Sequence, residues 1–226
     1  MTHSGHVLGV DGCRAGWVGV VLGPDGAFAR AVLGATIAEL AADAGPVAAI
    51  GIDMPLHVTD EPGPRASDLA ARLHLGAKRS SLFLTPPRSA YAASTYAEAC
   101  AVSRRLTGKA PSRQAWALGP KILDVEAWCP SVDVPVREVH PEVSFSLLVG
   151  APILASKATW AGLEARRAAL AGAGIVVPGD LGAAGRAGPD DVLDAAAAAW
   201  SARRIRRGDA VCFPAGAEPG APAIWA

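Results

Sequence analysis

The sequence predicts a single α/β domain over residues 1–226. Its core is a mixed sheet, three antiparallel strands then parallel strands, flanked by helices, with a mainly helical insertion at about 56–130. Three stretches carry that expectation. Val7 to Val10 is an apolar run ending in Asp11, followed by a turn with Gly12 and Gly16 and a return run from Trp17 to Leu22, which is the pattern of a β-hairpin. Val47 to Ile52 is a second apolar run, without polar alternation, and ends in Asp53; such a run fits a strand covered on both faces. The segment from Pro189 to about Arg207 opens on Pro-Asp-Asp and stops at Gly208, with the residue types that start and end a helix.

Composition narrows the class. An apolar fraction of 51% and a mean hydropathy of +0.27 suffice for a buried core, and much of that content is alanine, which suits closely packed helices. Lys and Arg together number 21, as do Asp and Glu, so no global basic field advertises nucleic acid, although a local basic patch remains compatible with it. The N-terminus lacks a basic start followed by an apolar core, so no signal peptide is expected. No apolar run is long enough to span a membrane. Cys13, Cys100, Cys129 and Cys212 are scattered without a CxxC pair; a zinc cage or disulfide framework is not expected, and a cytoplasmic location fits best.

In chain order, Pro24-Asp25-Gly26 makes a turn into a third strand, Phe28 to Leu33. Thr36 and Glu39 have capping-box spacing and open a helix that ends at Gly45-Pro46. After Asp53, residues 56–64 form a loop. Arg65 to Leu75 reads as a helix with Asp68 and Arg72 spaced to pair on its surface. The loop from Lys78 to Arg88 is basic, hydroxyl-rich and proline-stiffened, suited either to binding phosphate or to a solvated connection. Thr95 and Glu98 form a second capping box, and Ser112 caps a further helix broken at Gly119-Pro120, just before Lys121. Val134 to Val139 returns to strand character, His140-Pro141-Glu142 follows, and Val143 to Val149 is a short helix. A helix over Ser156–Ala171, a short strand at Ile175–Val177, a glycine-rich approach over 179–188, the last helix, and a final strand at Ala210–Phe213 complete the chain. The succession of three strands, helix, strand, then later a strand and a helix is that of an RNase H-like fold.

The chemistry-bearing residues are acids. Asp11 and Asp53 each end a buried apolar run; Asp11 alone reads first as an Asp-Gly turn residue, but a second aspartate in the same position is less easily dismissed and points to a shared site. Asp191 and Asp194, three apart, project from one face of the last helix. The helix dipole accounts for Asp190 and Asp191 but less well for Asp194, because the effect fades within a turn. Ala195 to Ala199 follow, and small residues let that helix approach the sheet. Glu138, on the strand before His140, is a further candidate. Clustered carboxylates repel unless a cation neutralises them. Hard oxygen donors without Cys or His suit Mg²⁺ or Mn²⁺, and two such ions can activate water and stabilise the leaving oxygen in phosphodiester cleavage. Arg14, Lys78, Arg79, Arg88 and Lys121 are candidates for a phosphate-binding rim, and His140 for a general base or phosphate contact; an ordinary surface charge or structural histidine is the alternative for each.

The segments Gly9–Trp17, Ile52–Pro55, Arg65–Gly76 with Lys78–Pro87, Glu138–Phe145 and Asp190–Ala195 together resemble the DUF429 family, a family of predicted RNase H-like nucleases. The resemblance spans nearly the whole chain, in order. It implies the fold and a nuclease activity on DNA or RNA, without fixing a substrate. The Asp-x-x-Asp-Ala start of the last helix is also similar to Holliday-junction resolvases, which implies metal ligation by Asp11, Asp53, Asp191 and Asp194. Asp53 stands where such resolvases commonly have glutamate. With zero net charge, a short, branched or single-stranded nucleic acid is the expected partner, and a homodimer is compatible with the sequence. Two alternatives stay open. One is an actin-like nucleotide-binding phosphotransferase, which the lack of a second glycine-rich phosphate loop disfavours. The other is a non-catalytic binding protein of the same fold.

Overall fold

The computed structural model describes residues 5–218 and 221–226. Strands β1 (Val7–Cys13), β2 (Gly16–Leu22) and β3 (Phe28–Gly34) form an antiparallel meander. Helix α1 (Ile37–Ala44) then crosses to β4 (Ile50–Ile52), which lies parallel to β1, and β5 (Val136–Glu138) lies parallel to β4. The sheet order is β3-β2-β1-β4-β5. This is a mixed α/β sheet, antiparallel then parallel and flanked by helices, consistent with an RNase H-like fold.

Between β4 and β5 the described residues are helical or looped. They hold α2 (Ala66–Leu75), a 3₁₀ turn over Gly76–Ser81, α3 (Arg88–Tyr91), α4 (Tyr96–Thr107), α5 (Arg113–Ala117) and α6 (Gly119–Trp128). Both capping boxes form: Thr36 and Thr95 accept from Glu39 N and Glu98 N, and each glutamate returns the bond to the cap. Ser112 caps α5, and the expected break falls between α5 and α6, with Pro120 in the first turn of α6. After β5 come α7 (Pro141–Val149), α8 (Trp160–Gly172) and α9 (Pro189–Arg207). No helix among the described residues is long and apolar enough to cross a membrane.

The two-residue period of a strand divides the core. Leu8 and Val10 face α1 and α6, in a cluster with Ile37, Leu40, Ile50, Ile52, Ile122 and Val125. Val7 and Cys13 face the other way, into a cluster with Val18, Val20, Phe145, Leu170 and the alanines of α9. Both faces are thus dry, which explains the unalternated apolar runs. On the α9 side the sheet is bare where Gly9 pairs with Gly51. A Cβ on Gly9 would collide with the backbone of Ala195 and Ala199, and one on Gly51 would lie 2.6 Å from Ala198 O. Helix α9 therefore rests directly on strand backbone, with Ala195 to Ala199 fully buried.

Several expectations need correction. The Ser156–Ala171 helix starts only at Trp160, because Thr159 Oγ1 accepts from Gly162 N and the Ser156 carbonyl accepts from Thr159; Lys157 is left in the preceding turn. Ile175–Val177 forms no strand among the described residues; Ile175 and Val177 are core residues held by side-chain packing. Strand β5 is shorter than Val134–Val139. The last strand, β6 (Cys212–Phe213), does not join the main sheet but pairs with β7 (Ile224–Trp225). The end of the Pro/Gly-rich tail returns to Val139 through Trp225, while residues 219 and 220 within that tail lie outside the described residues. Asp68 and Arg72 do not form a surface pair. Asp68 is buried and bound to Arg65, and Arg72 donates to the Leu82 carbonyl.

Gly9→Ala is predicted to cost about 3 kcal/mol or more, the upper end for forcing a methyl into a packed core, because the obstruction is backbone on both sides. A melting curve checks this; a shift of less than a degree would mean that α9 can lift off the sheet freely.

Candidate metal centre

The register places the acids. Val10 pairs with Ile52 in parallel, so the next residues, Asp11 and Asp53, sit side by side where β4 ends; Asp11 does not end its own strand as expected, because β1 runs on to Cys13 through its pairing with β2, with Asp11 opposite Val18. The Asp53 amide donates to the Val10 carbonyl at 2.9 Å and locks that alignment. By pleat parity both carboxylates share the face of Gly9 and Gly51, the face on which α9 lies. Asp194 precedes the alanine run that sits on those glycines, so seating α9 carries its carboxylate to the strand ends. One carboxylate oxygen from each of Asp11, Asp53 and Asp194 lies within 4.8 Å of the other two.

This trio is electrostatically loaded. Burial pushes the Asp11 carboxyl well above its usual range, and Asp53 and Asp194 push it further. Asp53 is raised well above its usual value by burial and then by Asp194. Asp194 is raised to about 6 by burial, even though Lys157 opposes the shift. Lys157 Nζ lies 2.5 Å from Asp194 Oδ2 and 3.7 Å from Asp190 Oδ2. Burial disfavours the ammonium, but Asp194, Asp11 and Asp53 outweigh burial and hold the lysine charged. Asp11 Oδ1 accepts from Gly12 N at 2.6 Å. Asp194 Oδ1 is buried without a hydrogen-bond partner.

The trio opens into a cavity of about 460 Å³, walled by the strand ends, α9, the Ser156–Lys157 turn and the segment from Lys78 to Thr85. Asp191 lines it, half-buried, with its carboxyl raised by burial and by Asp190. His140 also lines it. Burial and Lys157 push its imidazole down to about 4, and its Nδ1 is enclosed without a partner. Glu142 lines the same wall with Oε1 bound by the fully buried Arg166.

Glu138 lines the same cavity and its charge acts on Asp53, but it does not join the trio. It pairs with Ile52, one residue short of Asp53, so parity sends it to the opposite face. There it accepts from Leu56 N and from Arg65, 2.6 Å from Oε1, and Arg65 also binds Asp68. Burial raises the Glu138 carboxyl against the pull of Arg65. Of the expected cationic rim, Lys78 reaches the cavity. Arg14 and Arg79 are exposed and are not among the residues lining it. Arg88 pairs with Glu126 at 3.0 Å. Lys121 folds over the Trp17 ring, 4.8 Å from its centroid, and donates to the Gly16 carbonyl, so it braces the β1–β2 turn. Sequence reasoning missed Lys157, Arg65 and Arg166 as site residues. The Thr159 cap, with glycine three residues on, was the one local signal that Lys157 precedes its helix.

The fold and the trio together define an α/β protein that gathers carboxylates from two neighbouring parallel strands and the last helix. A family model described as "Protein of unknown function (DUF429)" matches residues 9–219, nearly the whole chain, and the protein belongs to that family. No curated protein and no solved structure matches the chain. The trio fits a hard divalent cation: its donors are all carboxylate oxygens, its charges repel while metal-free, and Asp194 keeps an unpartnered oxygen.

The raised carboxyls make stability depend on pH. A folded pKa above the unfolded one means that the native state holds protons the unfolded chain has released, so stability falls as pH rises from near 4 to about 6 at Asp194. His140, depressed to about 4, acts in the opposite sense over about pH 4–6.5, but several carboxyls oppose one imidazole. The metal-free protein should therefore melt higher at about pH 5.5 than at about pH 7.5. In Asp11→Asn, which keeps an acceptor for Gly12 N, the difference should shrink. A flat profile, or a variant that melts several degrees lower, would make Asp11 a structural turn residue.

Proposed function

We propose that this protein is a metal-dependent nuclease that hydrolyses a phosphodiester at the carboxylate trio. The observation that carries this reading is the convergence of Asp11, Asp53 and Asp194, far apart in sequence, on one buried point. Asp11, Asp53 and Asp194 would hold Mg²⁺ or Mn²⁺, with Asp191 completing the acidic wall. A divalent ion supplies an activated water and neutralises charge on the leaving oxygen.

The remaining groups act directly on the substrate. Lys157 offsets part of the trio's charge and presents a cation at the mouth of the site, where a phosphate would otherwise meet only carboxylates. His140 is neutral at pH 7, since its value lies near 4, so its free nitrogen can accept a hydrogen bond or a proton without adding charge. Lys78, which lines the cavity, would supply a phosphate contact. Glu138, tied to Arg65, supports the wall rather than the ion.

Single cations of this kind read the backbone and not the bases, so sequence preference should be weak and binding should weaken with salt. A cavity of about 460 Å³ and zero net charge favour short, branched or single-stranded nucleic acid over long duplex.

The experiment is a panel of labelled DNA and RNA forms with Mg²⁺ or Mn²⁺, run beside Asp11→Asn and Asp194→Asn. Each variant should lose more activity than the roughly 100-fold that removing a mere partner of a metal ligand costs. Equal cleavage by wild type and variants would identify a contaminant. No cleavage, with no Mn²⁺ bound, would make the protein a non-catalytic relative.

A further inference from the structure

The segment from Lys78 to Thr85 walls the cavity with one side chain that the core does not use. Leu82 is buried in a cluster with Ala71, Leu75 and Val143. Its backbone is extended, at φ −102° and ψ 115°, so the next side chain, Phe83, leaves the chain on the other side. Phe83 is half-buried and lines the cavity that holds the trio. Among the described residues it belongs to none of the three core clusters and pairs with no other aromatic ring. It is also held in place. Arg72 donates to the Leu82 carbonyl just before it, and Thr85 N donates to Asp68 Oδ2 at 2.7 Å just after it. Asp68 is fixed in turn by Arg65, which grips Glu138 on β5. Pro86 and Pro87 stiffen the exit.

An aromatic ring fixed in a cavity wall, with no core to serve, is a surface for a flat apolar partner. A phosphodiester bound at the trio brings one with it, the base on the adjoining sugar. We infer that Phe83 is a stacking platform for an unpaired nucleobase of the substrate, beside the phosphodiester at the trio. This rests on the nuclease reading above and adds the form of the substrate to it. In a duplex both faces of a base are covered by its neighbours. The ring therefore serves only a base in a single strand, at an end or turned out of the stack. Lys78 lies earlier on the same segment and also lines the cavity, so one braced loop presents a cation to the backbone and a ring to the base. Phe83 carries no hydrogen-bonding group, so the stack accepts any base.

The test is binding to the full chain, read by fluorescence anisotropy with Ca²⁺ in place of Mg²⁺ to hold back cleavage. The probes are short oligothymidylate and oligouridylate, each beside a chain of equal length with every base removed. Wild type should prefer the chain with bases by about tenfold or more, the worth of a single base–aromatic stack. Phe83→Leu keeps apolar bulk but has no ring; there the preference should vanish while affinity for the abasic chain stays. Phe83→Tyr should keep the preference. A purely structural phenylalanine would lower both affinities together and leave their ratio intact, which would overturn the inference. A wild type indifferent to the bases would do the same. A wild type that binds no single strand yet cleaves branched or duplex forms would also overturn it and leave the nuclease reading standing. Neither binding nor cleavage of any form would overturn both.

Discussion

The structure depends on the direct contact between α9 and the backbone of β1 and β4. Gly9 and Gly51 are cross-strand neighbours, and the alanines of α9 lie on the strip that they leave bare. Close approach of this kind sacrifices side-chain area but fixes the helix in height and rotation, since a methyl group on either side would obstruct it. Everything chemical follows from that seating. Asp194 is carried down to the strand ends, Asp191 to the cavity rim, and the trio closes within 4.8 Å. A looser helix, packed through leucines, would stand off by a side chain and leave three isolated acids.

Such a trio is unfavourable in a bare protein. Burial and mutual repulsion raise the carboxyls, and the fold answers with two bases placed by opposite means. Lys157 comes from a turn and reaches Asp194 with an ammonium that is partly exposed, hence displaceable. Arg166 comes from the body of a helix and is fully enclosed, hence fixed. Arg65, on the other side of the sheet, performs a similar service for Glu138 and Asp68. The cavity is therefore acidic where α9 meets the sheet and braced by buried ion pairs around it. That division suits a site where one set of charges must accept an ion while the others hold the walls still.

Local signals in the sequence were followed faithfully where they were local in origin. The capping boxes at Thr36 and Thr95, the Ser112 cap, the break at Gly119-Pro120 and the terminal Gly208 all act within a few residues, and each element forms where those residues place it. The hairpin of β1 and β2 was legible for the same reason: Gly16, at φ 123°, supplies a backbone geometry other residues rarely adopt. Boundaries failed where a competing bond lay just outside the apparent periodicity, as at Thr159, which cut short the helix expected from Ser156.

By itself the sequence determined the strand–helix order, the two aspartates that follow apolar strand runs and the paired aspartates of the last helix, because each is written in period, capping and turn chemistry; that β1 continues past Asp11 to Cys13 was set by its pairing with β2. Pleat parity was also implicit, and would have set Glu138 on the face opposite Asp11 once the pairing of Ile52 with Glu138 was known. That pairing, however, joins residues 86 positions apart in the chain, and only the tertiary structure decided it. The same holds for Lys157 reaching Asp194, Arg166 holding Glu142 and the chain end returning to Val139. Charge pairs of this kind leave no periodic trace, since a lysine or arginine reads alike whether it meets water or a buried carboxylate. Which of the two it meets is settled by the packing of α9 on a strip of glycine.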